Sequence, residues 1–272
     1  FCYKQIIENE QEEFSLKKEE LLLFFVLFFL FFVFGGGGDL FVQDFDWNKH
    51  HAILYDLVKF DWPVVYSNDV LLTYYLGQYI VPAFLGKLLG HSNLIALWSM
   101  TVWNAIGLTI VYAMVCQYLQ VKSAWKKAGV FLILIFWGGA TNLGSIIYQW
   151  MGHDVTLGSH KWLDSNRILI HFAGNLDALR GAFQHVIVPW ISCSIFMKNR
   201  KNYSIYVMLA LPLLFSSTFG FVYYVGILLA CFVWDLLAEK NKKKIWRLTF
   251  SLTNSALVPA SCVILIYLSG NF

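Results

Sequence analysis

Eight consecutive residues, Asp44-Phe45-Asp46-Trp47-Asn48-Lys49-His50-His51, hold two carboxylates and two imidazoles. Carboxylates accept protons, and imidazoles change charge near neutral pH, so this run has the groups for acid/base or metal chemistry. Asp46 and His50 are four apart, which puts them on one face of a helix. A carboxylate beside an imidazole there is a usable base pair; the alternative is a helix cap with a solvated histidine. A second polar stretch, from Met151 to Arg180, holds His153, Asp154, His160, Asp164, Asn166, Arg167, His171, Asp177 and Arg180, with Gln184 and His185 following. Arg167 and Arg180 could clamp a phosphate through paired N–H groups, or anchor to lipid headgroups. His153 with Asp154, or His160 with Asp164, could bind a divalent cation. No spacing among them is diagnostic of a metal, and no cofactor is implied with certainty.

The elements that position these residues are membrane helices. The chain is 58% hydrophobic and 14% charged, where a soluble domain carries about 25% charged residues. Long apolar runs exclude a β-barrel, whose strands alternate over about ten residues. Runs long enough to span a bilayer are Leu21–Gly37, Leu94–Leu119, Gly129–Tyr148, Ala182–Met197, Tyr203–Ser217, Phe219–Leu237 and Ile245–Leu268. Five scattered cysteines in no paired spacing suggest neither a disulfide framework nor a zinc site. The net charge of +3 is small and gives no sign of a nucleic-acid partner.

Charge distribution orients the spans. Three short loops are densely basic: Lys122, Lys126, Lys127; Lys198, Arg200, Lys201; and Lys240 to Lys244 with Arg247. All three face the cytoplasm only if Val70–Leu89 does not cross the bilayer and instead lies at the outer interface or re-enters. The expected fold is therefore all-α: a polytopic transmembrane bundle of about seven spans with an interfacial or re-entrant helix in the first outer loop. Residues 1–20 form a cytoplasmic segment, and 21–272 the transmembrane module, with outer loops at about 38–93 and 149–181. The chain reads as a piece of a longer protein. With this topology all seven histidines and nine of ten aspartates fall outside, while all seven glutamates fall inside.

In the first outer loop, Gly35–Gly38 ends the opening span, and Asp44 or Asp46 caps a new helix. Trp47, Leu54, Leu57 and Val58 recur at helical spacing opposite Lys49, Asp56 and Lys59, as in a helix lying on a membrane surface. Asp61-Trp62-Pro63 ends it.

The order of these features resembles the GT-C superfamily of membrane glycosyltransferases, especially bacterial proteins similar to protein O-mannosyltransferases. The resemblance rests on an acid followed by histidine after the first span and on Leu72-Thr73-Tyr74-Tyr75-Leu76 leading to Pro82 and Leu89-Gly90. It rests further on Trp98-Ser99, on Gly152-His153-Asp154-Val155 with Gly158, and on Gln184-His185-Val186-Ile187-Val188-Pro189-Trp190-Ile191. It covers about Leu21 to Ile191. It implies a polyprenyl-phosphate sugar donor, a glycan or protein acceptor and inversion at the anomeric carbon. The active site would face outside a bacterial cell membrane, within the cell envelope. Carried over residue by residue, Asp46 is the base, Asp44 its alternate and His50 its polar partner. Arg167, Arg180, Gln184 and His185 contact the donor, and His51, His153 and Asp154 give support. The first loop departs from the superfamily by having no Glu, and the chain has only the spans of the shared module. Two other functions fit a polytopic chain: a lipid or solute transporter or flippase, and a non-catalytic membrane scaffold.

Overall fold

The computed structural model describes residues 16–41, 43, 45–67, 69–138, 147, 149–153, 174–238 and 242–269. Asp44, Asp154 and Arg167, with His160 and Asp164, lie outside the described residues. The described chain is helical, with one isolated bridge between Val65 and Leu71.

Helix α1 (Lys18–Phe34) is apolar all round, as a buried or membrane helix is. Glu19 and Glu20 occupy its positive first turn, and the Lys17 backbone N–H donates to Glu20 at 2.9 Å. It ends at Gly35–Gly38, where the chain presses on the long helix α4 (Asn93–Tyr118). A Cβ on Gly38 would sit 2.8 Å from the Trp98 ring, and Gly38 adopts φ +72°, so only glycine fits. Helix α2 (Phe45–Lys59) is the amphipathic surface helix expected. Trp47, His50, Ile53, Leu54, Leu57 and Val58 are its buried face.

Helix α3 (Ile80–Leu88) has nine residues, about 14 Å at 1.5 Å per residue and half the thickness of a hydrocarbon core. It packs antiparallel on the first half of α4: Gln78 donates to Asn104 at 2.6 Å, and Gly86 approaches Ala96 and Ser92. The stretch Val70–Leu89 thus folds back beside α4 and is no bilayer-length helix.

The remaining helices are α5 (Ala124–Phe136), α6 (Asn175–Gly181), α7 (Ile187–Lys198), α8 (Tyr206–Ser216), α9 (Thr218–Ala238), α10 (Lys242–Thr249) and α11 (Leu252–Ser269). Their ends meet at two opposite poles. At one, Lys127 Nζ bonds Glu20 at 2.7 Å and 2.8 Å, Arg200 bonds Asp235 at 2.8 Å, and Asn254 Nδ2 donates to the Tyr203 carbonyl at 2.8 Å. This basic pole gathers the three lysine- and arginine-rich loops. At the other, α2, α3 and α6 sit over the ends of α1, α8, α9 and α11.

Among the described residues, three helices are long and apolar enough to cross a membrane: α4, α9 and α11. Only 17% and 6% of the apolar windows of α9 and α11 are buried within the fold. Apolar surface this continuous is compatible with helices that lie in a membrane. Several span boundaries differ from the sequence expectation, among them the start of α7 at Ile187 in place of Ala182 and the end of α5 at Phe136 in place of Tyr148. Ile245–Leu268 is not one helix: α10 stops at Thr249, and Ser251 Oγ accepts the Asn254 N–H at 3.3 Å to begin α11. Thr249, Ser251, Thr253, Asn254 and Ser255 interrupt the hydropathy at this corner. Helix α5 begins five residues before Gly129, because Glu20 neutralises Lys127 and lets it enter the helix.

Candidate functional site

The pole opposite the basic loops collects Asp46, His50, His51, Arg180, Gln184 and His185 of the polar residues singled out in the sequence. The first turn of α2 carries Asp46, where the helix N-terminus favours a negative charge. Its side chain is 51% exposed and lies 3.3 Å from Lys49 Nζ. Lys49 also stands 5.9 Å above the centre of the Tyr74 ring. Both Asp46 and Lys49 are therefore charged groups that a molecule arriving from solvent can reach.

His50, one turn on, has the opposite character. It is fully buried. Its Nε2 lies 3.0 Å from the Gly181 carbonyl and its Nδ1 2.6 Å from the Tyr79 hydroxyl. A carbonyl only accepts, so Nε2 carries the proton and Nδ1 accepts from Tyr79. The ring packs on Phe183 at 4.6 Å and on Trp47 at 5.3 Å. His50 is thus a joint between α2, the turn before α3 and the end of α6, and no solvent reaches its ring. His51 faces the other way: its Nε2 lies 2.8 Å from Gln43 Oε1, and Gln43 donates to the Gly36 carbonyl at 2.8 Å. That chain anchors α2 to the end of α1, as does Trp47 Nε1 on the Gly35 carbonyl at 3.2 Å.

Arg180, at the end of α6, packs its stem on Gly35, where an added Cβ would lie 3.0 Å from its Cγ. Gln184 follows in the turn Phe183–His185 and is fully buried, with neither Nε2 nor Oε1 hydrogen-bonded. His185, in the same turn ahead of α7, has its Nδ1 2.9 Å from Ser217 Oγ, and Tyr75 meets it edge-on at 4.5 Å. Burial first, and then the nearby Lys49 charge, hold its pKa below the usual imidazole value. Ser217 is itself the cap of α9, accepting the Gly220 N–H at 3.1 Å, so its hydroxyl proton is left to donate to His185. His153 is exposed.

A groove of about 530 Å³ is lined by Tyr74, Tyr75, Leu214, Thr218, Phe219 and Leu268, and it meets the cluster through Tyr74, beneath Lys49, and Tyr75, against His185. A second, almost wholly apolar pocket of about 360 Å³ is lined by Leu57, Trp62, Val64, Ile80, Phe215 and Tyr267. Helices α8 and α11 supply walls to both. The Tyr267 hydroxyl, donating to the Leu72 carbonyl at 2.6 Å, pins α11 to the loop between them. The turn Leu76–Gln78 lies so close to α8 that a Cβ on Gly77 would overlap Ser216 Oγ.

The fold thus draws Asp46, His50 and His51 of the first polar stretch toward Arg180, Gln184 and His185 of the second. Three contributors escaped the sequence analysis. Lys49 reads there only as the solvent face of α2. Tyr79 carries no periodic or motif signal. Ser217 does have one, because Ser216-Ser217-Thr218 between apolar runs is a helix-cap signature. Among the described residues, no group of three or more His, Cys, Asp or Glu side chains could hold a metal ion. No family model, no curated protein and no solved structure matches the chain.

Proposed function

We propose that the protein is a polytopic membrane glycosyltransferase that moves a sugar from a polyprenyl-phosphate-linked donor to an acceptor hydroxyl on the extracytoplasmic side. In this reading α4, α9 and α11 cross the bilayer, and the shorter apolar helices α1, α5, α7 and α8 lie in it beside them. The basic pole faces the cytoplasm. The observation that carries the reading is convergence. The first turn of α2 and the segment 180–185 close on each other through His50 and Gly181, beside a groove that opens next to an apolar pocket.

Each part has a task. The apolar pocket suits the first isoprene units of a lipid tail, and the groove suits a sugar phosphate. Lys49 and Arg180 supply cationic groups for the phosphate. Asp46 accepts the proton of the acceptor hydroxyl as its oxygen attacks the anomeric carbon. The bond from that carbon to the phosphate oxygen breaks, and the lipid phosphate leaves with the electron pair. Phosphate is already a good leaving group, so one carboxylate suffices. His50 serves as a positioning residue, because its buried ring fixes α2 against α6. Asp44, Arg167, His153 and Asp154 remain candidates for the same site.

The test is transfer by the reconstituted full chain from polyprenyl-phosphate sugars. Asp46→Asn should lower turnover by about 100-fold or more, the scale of a general base. Unchanged turnover would remove Asp46 from this role.

A lipid transporter or flippase is the second reading. The buried Gln78–Asn104 pair beside α4 favours it, since polar groups inside a bundle mark passage routes. Movement of an intact labelled lipid across the bilayer, with no glycosidic bond formed, would select it.

A further inference from the structure

The basic pole carries a surface that the proposed sugar transfer does not use. Helix α10 lies between α9 and α11, two helices whose apolar surfaces are almost entirely uncovered by the fold. The connector, residues 239–251, is thirteen residues long with eight of them in α10, too short to leave the membrane surface if its two flanking helices cross the bilayer. Ile245 is buried, whereas Lys242, Lys243, Lys244 and Arg247 are exposed. Trp246 is 46% exposed and sits edge-on to Phe232 of α9 at 5.5 Å, while stacking on Phe250 at 5.8 Å. Trp and Phe at that depth mark the boundary between acyl chains and headgroups.

The loop after α7 joins the same surface, and it is held rigidly. Asp235 of α9 is buried and accepts from Arg200 Nη2 at 2.8 Å and from the Tyr203 hydroxyl at 2.6 Å. Asn254 of α11 is also buried. Its Oδ1 accepts from the Val207 N–H at 3.2 Å, and its Nδ2 donates to the Tyr203 and Thr249 carbonyls at 2.8 Å and 2.9 Å. These bonds clamp α10, the turn Tyr203–Ile205 and the two flanking helices into one corner. Lys198, Lys201, Lys242, Lys243, Lys244 and Arg247 are the exposed cations of this corner.

We propose that this corner is a docking surface for the headgroups of acidic phospholipids in the leaflet that it faces. The occupant follows from the position. Lipid must cover α9 and α11, so phospholipid headgroups are the groups at hand beside α10. Six cations on a clamped platform select the acidic ones among them, because a fixed array meets their phosphates without first being ordered. The aromatic pair Trp246 and Phe250 sets the depth, and the lysines reach outward from it. The proposal rests on α9 and α11 crossing the bilayer and is independent of glycosyl transfer.

The experiment uses the full chain in neutral detergent micelles doped with phosphatidylglycerol or phosphatidylcholine, with retained lipid counted by native mass spectrometry. Phosphatidylglycerol should be retained in preference, and added salt should erase that preference, since exposed charges are screened. The triple variant K242Q/K243Q/R247Q should lose about fivefold in phosphatidylglycerol affinity for each cation removed, with phosphatidylcholine retention unchanged. The charge-conserving K242R/K243R/K244R should keep the preference. Equal retention of the two lipids by the unmodified chain, a preference that survives high salt, or a triple variant whose phosphatidylglycerol affinity is undiminished would each overturn the proposal. Failure of the chain to enter bilayers at all would overturn the membrane reading and this proposal together.

Discussion

The two poles of the bundle hold polar groups in contrasting ways. At the basic pole, a buried charge is matched to a more exposed opposite one: Lys127 with Glu20, and Asp235 with Arg200, with the Tyr203 hydroxyl also bonded to Asp235. Each of these pairs stitches distant helices together and is consumed by doing so. At the other pole, burial falls on neutral partners. His50 bridges Tyr79 and Gly181, and His185 bonds Ser217. The charges Asp46 and Lys49 stay half-open to solvent above this neutral scaffold. Ion pairs serve cohesion at one pole, and neutral hydrogen bonds position exposed charges at the other. That division is what separates a clamp from a site.

The largest test of the contrast is at His50. His50→Phe fills the space but leaves the Tyr79 hydroxyl and the Gly181 carbonyl buried without partners. A cost of about 2–4 kcal/mol in unfolding is expected, read as a lowered Tm in detergent. An unchanged Tm would show that His50 is no joint. At the basic pole, Asp235→Asn keeps one acceptor for Tyr203 but strips Arg200 of its counter-charge. About 1–3 kcal/mol is expected there, measured by the same melting curve, with sugar transfer retained at permissive temperature. Loss of transfer by a stable Asp235→Asn protein would erase the division between the poles.

Acid separates the poles next. Glu20 has its pKa lowered, first by its hydrogen bond to Lys127 and then by the Lys17 backbone. A depressed carboxylate contributes stability that is full above its unfolded value and is lost as pH falls through the folded one, so this contribution fades below about pH 4.5. His185 also has a lowered pKa, chiefly through burial. For a depressed imidazole the unfolded chain takes the proton first, so stability falls as pH drops below about 6.5. Acidification from neutral should therefore loosen the groove pole before the basic pole. Melting curves of Glu20→Gln and His185→Gln as pH is lowered would show which slope each removes. The smallest effect is expected at Tyr66, whose hydroxyl donates to Asp56 at 2.5 Å on an exposed surface and is pushed up to about 12 by partial burial and then by that bond. Tyr66→Phe should cost under about 1 kcal/mol in the melt, since solvent already competes for both partners.

Local periodicity made much of the fold legible in the sequence. The buried face of α2 follows from Trp47, Leu54, Leu57 and Val58 alone. The limits of α4 and α9 lie within one residue of the apolar runs at Leu94–Leu119 and Phe219–Leu237. Helices whose ends depend on a distant partner were not legible. The start of α5 needs Glu20, 107 residues from Lys127, and the α10–α11 corner needs Asn254 to reach Tyr203, 51 residues away. The site was legible by residue type and not by role. Asp46 and His50 look equivalent as neighbours four apart, yet one is open and the other sealed. What sets them apart is Tyr79 at 29 residues and Gly181 at 131. No spacing within eight residues encodes those partners.

Sidedness is the claim on which the site depends, and thiol labelling tests it most directly. In a cysteine-free background, Asp46→Cys and Lys242→Cys are each exposed in turn to a membrane-impermeant maleimide on intact cells. Labelling of the Asp46→Cys protein alone, with the Lys242→Cys protein reacting only after the membrane is opened, is the predicted result. Labelling of both from outside, or of Lys242→Cys alone, would contradict it and place the groove on the wrong face of the membrane for an extracytoplasmic sugar transfer.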